Sequence, residues 1–126
     1  MSVPTKGLIL FGHGARDPDW AAPLREVRRR LQTQMPEARV ELAFLEFQQP
    51  DLEASVRALM AQGCNRIKVL PMFMAPGGHL KRDLPHIMAR FEASWPGVRF
   101  ELAAAVGTAE PVLAAMAGHA ADLLRD

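Results

Sequence analysis

The sequence predicts an α/β protein built on a four-stranded parallel sheet, and three observations predict it. Four short apolar runs read as strands, a segment with helical spacing follows each of them, and no linker or low-complexity stretch breaks the alternation. At 126 residues the chain is long enough to bury a core, and one domain spanning residues 1–126 is expected.

The first strand is Gly7 to Phe11, a continuous apolar run of the kind buried on both faces of a sheet. Asp17-Pro18 reads as the N-cap and first position of a helix. In it Leu24, Val27, Leu31 and Met35 recur at helical spacing, with Arg25 and Arg28 to Arg30 mostly outside, until Pro36 stops it. Val40, Leu42 and Phe44 give a second strand, with Glu46 at or just past its end. Pro50-Asp51 opens a helix in which Leu52, Val56 and Leu59 share a face, and Gly63 stands where a glycine ends a helix. Residues 66–71 (RIKVLP) form the third strand, followed by a glycine-rich loop to Gly78 and a helical pattern of Leu84, Ile87, Met88 and Phe91. Val98 to Ala104 is the fourth strand, and Gly107-Thr108 turns into a last helix from Ala109 to about Leu124. Right-handed crossovers put helices on both faces of such a sheet, a three-layer sandwich. The expected strand order is 2-1-3-4, the flavodoxin-like arrangement.

Composition narrows the function. Hydrophobic residues make up 49% and charged residues 23%, which fits a globular chain, and the net charge of +1 gives no electrostatic case for nucleic acid or an anionic membrane. The single cysteine, Cys64, rules out an internal disulfide framework, a Cys-based zinc site and a four-cysteine cluster. The apolar part of MSVPTKGLILFGHG is too short for a signal peptide and no stretch approaches membrane-spanning length, so a cytoplasmic protein is the expectation.

In open parallel sheets, ligands bind beyond the carboxyl ends of the strands, where strand order reverses. The first such loop is "FGHGARDP", with His13 between two glycines. The second, "FLEFQQP", holds Glu46, and the third, "PMFMAPGGHLKRDLP", holds His79; the fourth begins with Gly107 and Thr108. A histidine in a glycine turn is ordinarily only a polar loop residue. Two histidines and a carboxylate gathered on one edge suit a divalent first-row metal with positions left open for substrate, or proton transfer near neutral pH.

Other candidates fall away under the same test. His86 and His119 lie within predicted helices and read as solvated or packing residues, and Cys64 as a small buried hydrophobe. Neither "GHG" nor "APGGHLK" has P-loop spacing, and Ser2, Ser55 and Ser94 sit in no nucleophile elbow. The apolar stretch Met72 to Ala75, exposed at the edge, calls for a flat apolar cover, while Lys81, Arg82 and Arg16 suit carboxylates. A large, planar, polyanionic ligand meets both demands.

"GHGARDP", "FLEFQQP" and "LPMFMAPGGHLKRDLP", in that order and at those strand ends, make the chain resemble the small CbiX-type sirohydrochlorin chelatases of the class II chelatase family. The resemblance spans essentially the whole length. It implies a chelatase-like α/β unit equal to one lobe of the two-lobed chelatases, paired as a homodimer to complete the cleft. It further implies insertion of a divalent metal, cobalt or iron and possibly nickel, into a sirohydrochlorin-type tetrapyrrole for cobalamin or siroheme biosynthesis. The metal is then a substrate and no organic cofactor is called for.

The family's metal and catalytic histidines match His13 and His79, and its middle acidic residue matches Glu46. Arg16, Lys81 and Arg82 would meet the macrocycle's carboxylates, and Met72 and Met74 its face. One departure stands out: Ala15 replaces the serine usual after Gly-His-Gly. A non-catalytic metal or tetrapyrrole carrier using the same residues is the alternative, and a flavin or nucleotide binder is disfavoured by the missing phosphate loop.

Overall fold

In a computed structural model that describes residues 5–75 and 77–125, the strands are β1 (Lys6–Gly12), β2 (Arg39–Phe44), β3 (Arg66–Pro71) and β4 (Arg99–Leu102). They form one parallel sheet in the order β2-β1-β3-β4. The helices are α1 (Ala22–Gln34), α2 (Leu52–Ala61), α3 (Gly78–Ser94) and α4 (Glu110–Leu124), with short 3-10 turns at Pro18–Ala21 and Val106–Thr108. The expected class and strand order hold. No helix among the described residues is long and apolar enough to cross a membrane.

Alternation along the strands sorts the core into two halves. On one face Ile9, Phe11, Ala43, Ile67, Val69 and Phe100 meet Leu52, Val56 and Leu59 of α2 and Leu84, Met88 and Phe91 of α3. On the other, Leu10, Val40, Leu42 and Phe44 pack under Leu24 and Leu31 of α1. Cys64 is a free, buried thiol in the first half, and burial pushes its pKa up, so it stays a small apolar filler rather than a ligand.

The second half is thinner than expected. Val27 and Met35 of α1 are exposed rather than core-facing, and α4 buries no residue completely. Helix α1 covers β2 and β1. On the same face of β3 and β4, Lys68 and Glu101 remain exposed and form an ion pair at 3.3 Å.

The boundaries reflect local chemistry. The Asp17 side chain accepts from the Asp19 N–H at 2.9 Å, so it caps the 3-10 turn at Pro18–Ala21, and α1 begins only at Ala22. Asp51 caps α2 by accepting from the Ala54 N–H at 2.9 Å. Ser55, 1% exposed, donates its hydroxyl to the Leu42 carbonyl at 2.6 Å and so ties α2 to β2.

Backbone pairing continues past the ends of β1 and β2. Leu45 N–H donates to the Gly12 carbonyl at 3.0 Å and Glu46 N–H to the His13 carbonyl at 3.1 Å. Gly14 makes this possible. Its φ is +92°, and a Cβ there would run into the Glu46 carbonyl oxygen.

Two stability outcomes follow. Ser55→Ala lowers unfolding free energy by about 1 kcal/mol, because a buried hydroxyl bond is lost; urea denaturation measures it. Gly14→Ala combines a positive φ with a steric clash and costs about 1–3 kcal/mol. Its amide-exchange protection is lost first at Leu45 and Glu46; uniform loss across the sheet would contradict the local role given to Gly14.

Candidate metal and tetrapyrrole site

The extended β1–β2 pairing positions the first two side chains. His13 and Glu46 leave adjacent loops at the carboxyl edge of the sheet, and His13 Nε2 lies 3.2 Å from Glu46 Oε1. Their side chains are 51% and 50% exposed, so the pair faces solvent. Two ligands of one first-row metal, each about 2.0–2.2 Å from the ion, stand roughly 3 Å apart. The observed spacing suits a pair that holds either a shared proton or a divalent cation.

His79 is placed differently. It is the second residue of α3 and exposed, following the loop after β3. Among the described residues no three His, Cys, Asp or Glu side chains converge on one point. The structure therefore brings together His13 and Glu46 and leaves His79 apart from them.

The β3 loop divides the two methionines expected to line a ligand. Met72 N–H donates to the Phe11 carbonyl at 2.8 Å, which keeps the residue in register with the sheet, and its side chain packs on the Leu10–Phe44 core. Met72 is thus half-buried against the core. Met74 is 69% exposed and remains at the edge. The loop is held from the other side as well: Gly107 N–H donates to the Phe73 carbonyl at 2.9 Å, and a Cβ at Gly107 would strike the Met74 backbone. The glycine after β4 thus serves close packing of two loops rather than chemistry.

The basic residues are arranged on both sides of the edge. Lys81 and Arg82 lie exposed on the first turns of α3. Arg16 sits beyond the His13 turn with its guanidinium 4.9 Å from the centre of the Phe47 ring. Ala15, which lacks the hydroxyl of a serine, still has its N–H held by Gln48 Oε1 at 3.3 Å. His86 and His119 are exposed on α3 and α4, as solvated residues would be.

Sequence reasoning passed over three apolar residues at this edge. Leu45 is 40%, Phe47 57% and Trp20 38% exposed. "FLEFQQP" contains two of them, but strand alternation cannot reveal that Phe47 adopts a φ of +67° and turns out of the strand pattern. Trp20 packs edge-on against Phe44, with ring centroids 6.5 Å apart.

Sirohydrochlorin cobaltochelatases of Methanococcus maripaludis and Methanococcus aeolicus are 30% and 31% identical over 92 and 87 residues, covering 73% and 69% of this chain. Those alignments span 64% and 61% of the relatives' own lengths. Among solved structures, a cobalamin-biosynthesis CbiX protein from Marinobacter aquaeolei superposes with a TM-score of 0.81 at 28% identity, covering 95% of this chain and 98% of that one. The sirohydrochlorin chelatase SirB from Bacillus subtilis, solved in complex with cobalt, gives 0.78 at 25% identity over 94% of this chain and 50% of its own. The sequence profile of the CbiX family matches residues 7–123. With the fold and the profile in agreement over nearly its full length, this chain belongs to the CbiX family.

Proposed function

We propose that this protein is a sirohydrochlorin-type chelatase that inserts cobalt or iron into a tetrapyrrole for cobalamin or siroheme biosynthesis. The observation that carries the reading is the His13–Glu46 pair, an imidazole nitrogen and a carboxylate oxygen 3.2 Å apart and open to solvent at the ligand edge of the sheet. Membership in a family whose relatives include sirohydrochlorin cobaltochelatases supplies the substrate class.

Insertion requires that water be stripped from the ion and that two pyrrole protons leave the macrocycle. A neutral imidazole and a carboxylate replace water around a divalent ion and also accept protons near neutral pH. His13 and Glu46 are assigned the capture of the metal. His79, at the start of α3, is assigned the macrocycle side, where it takes up one pyrrole proton as the ion enters, and the second passes to the His13–Glu46 pair as that pair gives up the metal. Lys81 and Arg82 on α3 and Arg16 beyond the first loop pair with the carboxylates of the tetrapyrrole.

A homodimer completes this reading. One copy matches half of the SirB chain, so two copies supply the same mass of fold. Helix α4 offers a surface for the pairing: Leu113, Met116, Ala120 and Leu124 recur on one stripe, with Leu113 44% and Leu124 88% exposed. An isologous contact through such a stripe closes on itself and leaves no free patch.

Steady-state insertion with protein well below substrate concentration tests the activity, because a carrier cannot turn over. His13→Ala and His79→Ala each lower the insertion rate by about a hundredfold or more without moving the unfolding midpoint, since neither residue is in the core. Glu46→Gln keeps the shape of the carboxylate and removes its charge. Apparent cobalt affinity falls at least about tenfold, while binding of metal-free sirohydrochlorin is unchanged or slightly tighter. The opposite pattern, weakened macrocycle and intact metal binding, sinks the assignment of Glu46 to the metal.

Sedimentation tests the assembly. Wild-type protein runs as a dimer at micromolar concentration, and Leu113→Glu combined with Leu124→Glu yields monomer with loss of insertion. A wild-type monomer that is active at the same concentration refutes the dimer.

A further inference from the structure

The loop after β2 carries an aromatic ring for which the metal-capture pair has no use. Phe47 directly follows Glu46 and holds a φ of +67°, a backbone conformation that bulky residues rarely adopt. Burial does not compensate for it, because the residue is 57% exposed. A turn alone would be better served by glycine or asparagine at this position. The ring is also not idle: the Arg16 guanidinium lies 4.9 Å from its centroid. The Ala15 N–H bond to Gln48 Oε1 at 3.3 Å keeps the two loops side by side.

We infer that Phe47 is the platform on which the flat face of the tetrapyrrole stacks, and that Arg16 covers this platform until a substrate carboxylate draws it away. The inference rests on the tetrapyrrole reading of the site. A metal enters such a ring through its face, so the macrocycle has to lie over the ion held by His13 and Glu46. An aromatic side chain one residue from Glu46 sets the height of that plane at van der Waals distance. The Arg16–Phe47 contact is exposed, and an exposed cation–π contact is weak enough to be exchanged. A carboxylate offers the guanidinium a stronger, bidentate partner. The exchange uncovers the ring at the moment the substrate's charge arrives. Leu45 and Met74, 40% and 69% exposed on the same edge, extend the apolar surface.

The test uses the full-length protein and metal-free sirohydrochlorin, with binding followed by quenching of Trp20, which is 38% exposed at this edge. Phe47→Gly removes the ring and relieves the positive φ, so any loss of binding cannot be blamed on strain; Phe47→Ala removes the ring alone. Both raise the macrocycle Kd about tenfold, Phe47→Tyr stays within about twofold of wild type, and cobalt binding to the tetrapyrrole-free protein is unchanged in all three. Arg16→Met weakens macrocycle binding at low salt and flattens its salt dependence.

Wild-type affinity in Phe47→Gly overturns the inference, as does failure of Phe47→Tyr to retain binding. A loss of affinity that tracks a change in oligomeric state by sedimentation also overturns it, because Phe47 would then be an interface residue. Tighter binding by Arg16→Met would show Arg16 to be a fixed cap and overturn the exchange. Failure of the site reading itself looks different: the wild-type protein would then neither bind the macrocycle nor show quenching, and the inference would fall with it.

Discussion

Parallel strands normally part company where their ladders end, and in this protein β1 and β2 do not. Two further backbone bonds, from Leu45 to Gly12 and from Glu46 to His13, carry the pairing into the loops. A side chain at Gly14 would collide with the Glu46 carbonyl, so this close approach exists only because that position has no Cβ. The placement of His13 beside Glu46, and of Arg16 over Phe47, depends on this extension. The two groups proposed to hold the metal are thus set by backbone hydrogen bonds that need no metal to form. That amounts to preorganisation of a site whose side chains are themselves half exposed.

The layers around the sheet are unequal, and the inequality bears on assembly. Helices α2 and α3 bury a continuous core that includes the tilted cluster of Phe91, Trp95 and Phe100, with ring centroids 5.6–6.5 Å apart. The α1 side is thinner and leaves the Lys68–Glu101 pair exposed on β3 and β4. A hydrogen bond from Lys68, with its charge, holds the Glu101 carboxyl below the usual carboxylate range. The doubly wound pattern would ordinarily bring a last helix back over that half of the sheet. Here α4 leaves Leu113, Leu123 and Leu124 in solvent. Exposed apolar side chains of this kind are the surface through which the proposed pairing of two copies would close.

The third loop shows how tightly a short segment can be partitioned. Anchored to Phe11 on one side and Gly107 on the other, it packs Met72 half-buried against the core and leaves Met74 outside. His79, Lys81 and Arg82 lie exposed on the first turns of α3. In the proposed site, metal capture falls to the zipped loops, and the macrocycle contacts are shared between those loops, through Arg16 and Phe47, and α3.

Much of this was legible in the residues. Apolar runs and helical spacing determined the α/β class, the position of each element to within a few residues, and the carboxyl-edge location of His13, Glu46, His79, Arg16, Lys81 and Arg82, because a parallel alternating chain puts all such loops at one edge. Short-range signals also marked Asp17 as a cap, Pro50-Asp51 as a helix start and Gly63 as a helix end, where the structure has capping by Asp17 and Asp51 and a positive φ at Gly63. What the tertiary structure decided was which of the edge residues touch. His13 meets Glu46 while His79 stands apart, Met72 turns inward, Val27 turns outward, and Phe47 emerges beside Arg16. Each of these depends on bonds and contacts between segments distant in the chain, chiefly the pairing of the β1 and β2 loops. Periodicity reports which face of its own element a residue occupies; it carries no information about what another loop brings to meet it.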